Sequence, residues 1–358
     1  MNDYGQGDDS TLSRQSSLKS IADKAGVSIT TVHRALTGKK DCSAQMRERI
    51  LAIAAEEGYE FNYYAASLRR TRLKIAVIMG THDRDSRFFV DRIADGIQRC
   101  IDANSQFNID YRFLTYTGRD MTSAKAGQIV SDLKKETFDG VLMHVLKLPD
   151  KAIENLSKAL SGDMPVVAVE LNPTSRQDVC TISTDNEVAG RMAGEIVAKL
   201  TRSSGKVYIF SQEMNLSDAN AIEARKEILS RRDDLEVVDI PLPLTGDESV
   251  YSTIRDYVNQ RPAAIYATCA RHTVRVLKAL GGIKKVGTVI GSELFDESRE
   301  ALHKGIIDAV IDKRPGQMGY RAMDMLLAAL IRKIPMERGI AIEPRLVLNA
   351  NSECTYEG

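Results

Sequence analysis

The sequence of 358 residues contains no tryptophan, and aromatic residues make up only 6% of it. It has no run of about 18 apolar residues, so no segment is expected to cross a membrane. The polar start, "MNDYGQGDDSTLSRQSS", has no apolar core of a signal peptide, and we expect an unstructured lead over residues 1–16.

Cysteine is scarce and scattered, and no C-x-x-C pair occurs. An odd number of separated cysteines favours neither a disulfide framework nor a zinc site, and it fits a reducing cytoplasm. The five positions are Cys42, Cys100, Cys180, Cys269 and Cys354.

The chain has no net charge, because 49 lysines and arginines balance 49 acidic residues. The balance fails locally: residues 16–72 carry ten basic and six acidic side chains, a net charge of about +4. A small basic segment is a modest indication of a polyanionic partner, and a solvated charged surface explains it equally well.

Three short helices are predicted between Leu18 and Tyr59. Ser16 or Ser17, Ser28 and Ser43 are suitable N-caps, and Gly26 should end the first helix. Apolar residues recur at helical spacing, which predicts a small core. Its expected members are Leu18, Ile21, Ala22, Ala25, Val32, Ala35, Leu36, Met46, Ile50, Leu51 and Ala54.

The second of these helices turns polar groups outward, namely Thr30, Thr31, His33 and Arg34. A helix, a glycine turn and a second helix with a polar outer face are typical of the helix-turn-helix motif. In that motif the second helix lies in the DNA major groove. An ordinary amphipathic helix with a polar outer face remains the alternative for this window alone.

After Leu73 the pattern changes to short apolar runs that alternate with helical stretches at roughly thirty-residue spacing. This alternation predicts βαβ units, and nine such runs indicate two α/β lobes with parallel sheets. The runs start at Lys74, Asp110, Gly140, Pro165, Lys206, Glu236, Ala263, Val286 and Asp308.

The segment from Leu18 to Arg72 closely resembles the headpiece of the lactose-repressor (LacI/GalR) family of bacterial transcription regulators. The matching residues form the motifs "IADKAGVS", "TV-R-L-G" from Thr31, "RERI" from Arg47, "GY--N" from Gly58 and "A--L" from Ala65. Further along, "TDNEVAG" from Thr184 looks like the family's segment where the chain enters its second lobe.

The resemblance implies a helix-turn-helix headpiece over 17–60, a hinge helix or linker over 61–72, and a two-lobed, periplasmic-binding-protein-like (type I) effector and dimerisation domain over 73–358. The N-lobe is expected to hold about 73–183 and 314–339. The C-lobe is expected to hold about 184–313 and 340–358.

The resemblance also assigns DNA contacts. Ile29, Thr30 and Arg34 fall where the family contacts bases, and Ser28, Thr31 and His33 fall where it contacts phosphates or base edges. In the hinge helix, Leu68 would be the apolar wedge in the minor groove, and Ala65 would allow two hinge helices to approach. Asn62 begins that segment, and His33 and Phe61 replace the usual serine and proline.

Ligands of open parallel sheets bind beyond the carboxyl ends of the strands. Polar and aromatic residues at those positions are suited to hydroxyl groups and a sugar ring. The predicted effector site comprises Arg84, Arg87, Phe88, Phe89, His144, Glu170, Asn215, Arg271 and Glu293. A polyol, a sugar acid and a phosphosugar all remain open as effectors. Asp185 is as suited to capping the following helix as to touching ligand.

We therefore expect a ligand-responsive regulator, acting as a repressor of carbohydrate or polyol genes. We expect it to be a homodimer on a pseudo-palindromic operator in the bacterial cytoplasm and nucleoid. No catalytic, phosphate-loop or zinc motif is found, so no enzyme activity, cofactor or metal is expected. The alternative is the sugar-binding protein of a transport system. The tail after Pro344 shows no leucine heptads, so no tetramerising coiled coil is expected.

Overall fold

A computed structural model describes most of the chain, and the predicted lead, hinge helix 61–71, Arg84 and Asn215 lie outside the described residues. The chain divides into two compact units, one with the N-terminal helices and one with Arg72–Ser105, Ile109–Leu326 and Met336–Gly358. The described residues are 17–36, 42–57, 59, 72–80, 87–116, 122–145, 148–160, 162–212, 219–243, 248–281 and 285–353.

The N-terminal unit contains the three predicted helices, α1 (Leu18–Ala25), α2 (Ile29–Leu36) and α3 (Ala44–Glu56). Ser17 caps α1 by accepting a hydrogen bond from the N–H of Ser20, and Ser43 caps α3 in the same way. Gly26 ends α1 at φ 67°, where a left-handed conformation favours glycine. The predicted caps are confirmed.

The helices pack around a core that matches the prediction closely, with Ile21, Val32 and Ile50 fully buried. Leu51 is a wrong prediction, because its side chain is 43% exposed. It follows Ile50 directly, and a step of one residue turns a side chain about 100° around the helix, away from the core.

The first lobe contains a six-stranded sheet in the order β11-β5-β4-β3-β1-β2. All its pairs are parallel, and its central strands are fully buried, as helix-covered parallel sheets require. The strands are β1 (Leu73–Gly80), β2 (Ile109–Tyr116), β3 (Gly140–His144), β4 (Val166–Val169), β5 (Cys180–Thr184) and β11 (Gly339–Ile342). Its helices are α4 (Arg87–Ala103), α5 (Ser123–Lys135), α6 (Asp150–Ala159) and α12 (Pro315–Leu327), the last followed by a π-helical turn Ala328–Arg332.

The second lobe repeats this arrangement in the order β12-β10-β9-β8-β6-β7, with β12 antiparallel at the edge. Its strands are β6 (Gly205–Gln212), β7 (Leu235–Leu242), β8 (Ala264–Ala267), β9 (Thr288–Ser292), β10 (Ala309–Asp312) and β12 (Arg345–Val347). Its helices are α7 (Asn186–Leu200), α8 (Ala219–Arg231), α9 (Glu248–Asn259), α10 (Ala270–Leu280) and α11 (Asp296–His303), and a 3-10 turn follows at Asn349–Asn351.

The chain passes between the lobes at three points: after β5, after β10 and after β11. The sequence placed the last passage at about residue 339, but Gly339–Ile342 pairs in parallel with β5, so that passage falls after Ile342. Strands β5, β11 and β12 were not predicted, because they are short or alternate in burial and show no continuous apolar run.

Helix α12 returns to pack directly on α4. A Cβ atom at Gly96 would lie 1.9 Å from the carbonyl oxygen of Gly316, and one at Gly319 would lie 2.0 Å from that of Ile93. Only glycine permits this approach, which fixes the returning segment against the first helix of the first lobe.

Candidate DNA-binding and ligand-binding sites

Helix α2 has one buried face and one exposed face. Val32, Ala35 and Leu36 are buried in the helical core. Ile29, 48% exposed, lies outward together with Thr30 and Arg34. An exposed apolar residue beside a hydroxyl and a guanidinium is a set suited to thymine methyl groups, phosphates and guanine edges.

Ser28 and Thr31 act at the start of α2. The Ser28 Oγ accepts a hydrogen bond from the Thr31 N–H at 3.1 Å, and it lies 2.9 Å from the Thr31 Oγ1. Both hydroxyls therefore stabilise the helix start, whatever else they contact. His33 is half-buried, and the predicted hinge residues Asn62, Ala65 and Leu68 lie outside the described part of the chain.

A polar contact joins α1 to the residue after α3. Glu57 accepts a hydrogen bond from the Ser20 Oγ at 2.8 Å and forms an ion pair with Lys24 at 2.8 Å. The hydrogen bond from Lys24 holds the pKa of the Glu57 carboxyl below its usual value. These contacts fix the end of α3 against α1.

The predicted ligand residues of the first lobe gather at the carboxyl ends of its strands. His144 ends β3, is 3% exposed, and its Nε2 lies 2.9 Å from the Oε2 of Glu170, which follows β4. The ring of Phe89 lies 6.3 Å from that of His144. An aromatic ring, an imidazole and a carboxylate thus lie near one another at this end of the sheet.

Glu170 and Glu293 occupy the same position in the two lobes. Each directly follows the corresponding strand, β4 or β9, and each has a left-handed backbone, with φ 68° and φ 60°. Each also donates its N–H to the neighbouring strand, at Ile182 in the first lobe and Ile311 in the second. Such strained non-glycine positions cluster at functional sites.

Glu293 is 2% exposed, and neither of its carboxyl oxygens has a hydrogen-bond partner among the described residues. Burial raises the pKa of this carboxyl to about 8. The positive charge of Lys313, whose Nζ lies 3.9 Å away, and the backbone of Ala270 oppose the rise, whereas the carboxyls of Asp312 and Glu170 add to it. A buried carboxyl without a hydrogen-bond partner costs free energy until a polar group reaches it.

The effect of Glu170 on Glu293 places the two carboxyls in one electrostatic environment. Lys313 belongs to this environment, although the sequence did not predict it, and its Nζ also donates to the Thr268 carbonyl at 2.8 Å. It follows β10 directly, so its position at a strand end was the available signal. We call Phe89, His144, Glu170, Glu293 and Lys313 the cleft cluster.

Phe88 and Arg87 join the two lobes beside the cleft cluster. The ring of Phe88 stacks on that of Phe295, with centroids 4.3 Å apart, and the guanidinium of Arg87 lies over Phe88. Arg87 also donates to Glu297 at 3.1 Å. The charge of Arg87 is therefore already paired with a carboxylate of the opposite lobe.

Two further polar residues at strand ends have local structural roles. Asp185 accepts a hydrogen bond from the Val188 N–H at 2.9 Å and so caps α7. Asn172 bonds within its own turn, to Thr174 and Arg176. Arg271 lies buried in the first turn of α10, next to Ala270, which packs with Phe295.

In the described ranges, no helix is long and apolar enough to cross a membrane. Among the same residues, no group of three or more histidine, cysteine or acidic side chains is arranged to hold a metal ion.

Two family models match the chain. Residues 17–62 match "Bacterial regulatory proteins, lacI family", and residues 75–334 match "Periplasmic binding protein domain". The second model covers well over half of the chain, so the chain belongs to that domain family.

The curated relatives are transcriptional regulators. The HTH-type transcriptional repressor PurR of Salmonella paratyphi B is 21% identical over 342 residues, covering 92% of this chain and 95% of that protein. The HTH-type transcriptional regulator RegA of Clostridium saccharobutylicum is 28% identical over 156 residues, which span 43% of each protein.

The solved structures show the same fold in sugar-binding proteins. AraP, an arabinose-binding protein from Geobacillus stearothermophilus, matches with a TM-score of 0.64 and 18% identity, over 80% of this chain and 100% of that one. A periplasmic solute-binding protein from Actinobacillus succinogenes, solved with D-allose, matches with a TM-score of 0.66 and 16% identity, over 78% and 99%.

The solute-binding proteins are matched almost completely, yet about a fifth of this chain has no counterpart in them. The lacI-family match supplies a DNA-binding region at residues 17–62. The chain therefore belongs to the lacI family of bacterial regulatory proteins, as a ligand-responsive DNA-binding transcriptional regulator with a periplasmic-binding-protein-like domain.

Proposed function

We propose that this regulator represses genes for the uptake or breakdown of a neutral sugar or polyol, and that this compound is its effector. The observation that carries the effector class is Glu293, whose two carboxyl oxygens are buried without a hydrogen-bond partner in the described structure. Vicinal hydroxyl groups can accept from the protonated carboxyl and donate to its other oxygen.

Charge in the cleft cluster favours a neutral ligand over a sugar acid or a phosphosugar. Glu170 would repel an anion, Lys313 already lies against Glu293 and donates to the Thr268 carbonyl, and Arg87 beside the cluster is already paired with Glu297. Phe89 offers a ring face for the apolar side of a sugar. The arabinose-binding and D-allose-bound proteins of the same fold support this class.

We further propose that the regulator binds DNA as a homodimer in the cytoplasm, each headpiece on one half of a pseudo-palindromic operator. Ile29, Thr30 and Arg34 would contact base edges, because they form the open face of α2. Ser28, Thr31 and His33 would contact phosphates or neighbouring bases. Asn62, Ala65 and Leu68 would form the hinge contacts in the minor groove.

The two-lobed fold would couple effector binding to DNA binding. A ligand that binds the closed lobes more tightly than the open ones shifts the protein toward closure. Closure moves the lobes relative to each other about the three crossing segments, and the hinge region transmits the change to DNA affinity.

A thermal-shift screen of the full chain against pentoses, hexoses and polyols tests the effector class. We expect at least one neutral member to raise the unfolding temperature, because a ligand that binds only the folded state stabilises it. The variant Glu293→Gln should lose that shift. Glu300→Gln, an exposed carboxyl on α11 paired with Lys304, should keep it. Stabilisation by sugar acids or phosphosugars alone would contradict the proposal.

A further inference from the structure

A cavity of about 460 Å³ lies where α4, the crossing segment 312–317 and the edge strand β12 meet. It shares no residue with the cleft cluster. Five arginines and two aspartates line it, and Asp296 and Glu353 outside the wall offset the charge of Arg299. We call it the arginine cavity. The arginines are Arg92, Arg99, Arg299, Arg314 and Arg345, and the aspartates are Asp95 and Asp312.

Two of these arginines are held by neutral acceptors. Arg92 donates to the carbonyl oxygen of Leu294 at 3.3 Å, and Arg314 donates to the Oε1 of Gln317 at 3.0 Å. Neither forms an ion pair within the described part of the chain. Arg345 and Arg299 differ, because they pair with Asp312 and Asp296. Asp95 is the remaining aspartate of the wall.

Like charges gathered in one cavity repel each other unless an anion offsets them. Guanidinium groups bind phosphate oxygens through paired N–H donors. The guanidinium groups of this cavity lie on several different elements. The wall also includes Gly316 and Gln317 in the first turn of α12, whose N–H groups have no acceptor inside their own helix.

We propose that the arginine cavity binds a compact, multiply charged anion of the organic phosphate class. Its volume lies within the usual range of small-molecule sites, about 300–1,000 Å³. Several guanidinium groups and first-turn N–H groups around one cavity match a phosphoryl group, which a neutral sugar does not carry. This site is separate from the cleft cluster and takes an anion, whereas the cleft cluster takes a neutral ligand.

The arginine cavity bridges the two lobes. Arg92 lies on α4 of the first lobe, Arg345 lies on β12 of the second, and Arg314 lies in the segment that crosses between them. An anion bound here contacts groups that move when the lobes rotate. It therefore gives the regulator a second input, coupled to the effector in the cleft through lobe closure.

Calorimetric titration of the full chain with inorganic phosphate and with a hexose phosphate, at constant ionic strength, tests this site. We expect both probes to bind and the hexose phosphate to bind more tightly. The double variant Arg92→Gln/Arg314→Gln should weaken binding at least tenfold. Arg255→Gln, an exposed arginine on α9 outside the cavity, should bind as the wild type does.

The cleft variant Glu293→Gln separates the two sites, and it should bind phosphate unchanged. Absence of binding heat with both probes, or loss of binding in Glu293→Gln with retention in the double variant, would overturn the proposal. If the double variant weakens self-association while phosphate does not bind the wild type, the cavity is a subunit contact and the proposal is wrong. If the double variant does not fold, the single variant Arg92→Gln, at an exposed residue, serves as the test.

Discussion

Replacement of Glu293 by glutamine should change how the stability of the protein depends on pH. The pKa of this carboxyl is about 8 in the folded protein, against 4.5 for an ordinary glutamate. Between those values the folded protein holds a proton that the unfolded chain has released. The stability of the wild type therefore falls as pH rises across this window, by about 1.4 kcal/mol per pH unit from this group.

Glutamine does not titrate, so the variant lacks this slope. Its stability relative to the wild type should rise by about 3 kcal/mol from about pH 6 to about pH 8 and then level off. The full difference between the two pKa values corresponds to an upper bound of about 5 kcal/mol.

Urea unfolding of both proteins at several pH values, followed by circular dichroism, measures this difference. Glu300→Gln is the matched control. The hydrogen bond from Lys304 lowers the pKa of Glu300, so that carboxyl is ionised in both states throughout this range. Parallel pH profiles for Glu293→Gln and the wild type would refute the argument, because they would show that no buried proton is held at this position.

Three other variants test the remaining sites. Arg34→Ala should weaken binding to a selected operator far more than binding to random DNA, as measured by gel shift, and equal losses would make Arg34 a phosphate contact only. Ser28→Ala should destabilise the helical unit by about 1 kcal/mol in thermal unfolding, whereas Thr30→Ala on the same helix should not. Phe88→Ala removes the stack across the lobes, worth about 1 kcal/mol, and should weaken effector binding roughly fivefold in calorimetry. The control Phe113→Ala, at an exposed residue, should leave effector binding unchanged. An equal loss of effector affinity in both variants would show that the Phe88 stack has no specific role in effector binding.

The sequence predicted elements well wherever one residue pattern decided the structure. The serine caps, the left-handed Gly26 and the nine apolar strands follow from local chemistry. Strand β12 depends on pairing with β10 far away in the chain, and three residues carry too short a pattern to reveal it. The exposure of Leu51 was missed because the prediction extended an apolar face by one residue too many.

The ligand site was also predicted only in part from the sequence. The position of Glu293 after a strand indicated a functional residue, but its left-handed backbone and its partnerless oxygens depend on the packed lobe. Arg87 was predicted as an effector-site residue, and only the folded structure shows its pairing with Glu297 in the opposite lobe. The charge preference of the cleft could not be inferred from the types of residue alone.

Titration of the full chain into a labelled operator, selected from random palindromic DNA, tests whether the protein is a ligand-responsive DNA-binding regulator. We expect salt-sensitive, sequence-specific binding whose affinity changes when a neutral sugar or polyol that stabilises the protein is added. Sequence-specific binding that stays the same with every stabilising ligand, or ligand binding without any specific DNA binding, would contradict it.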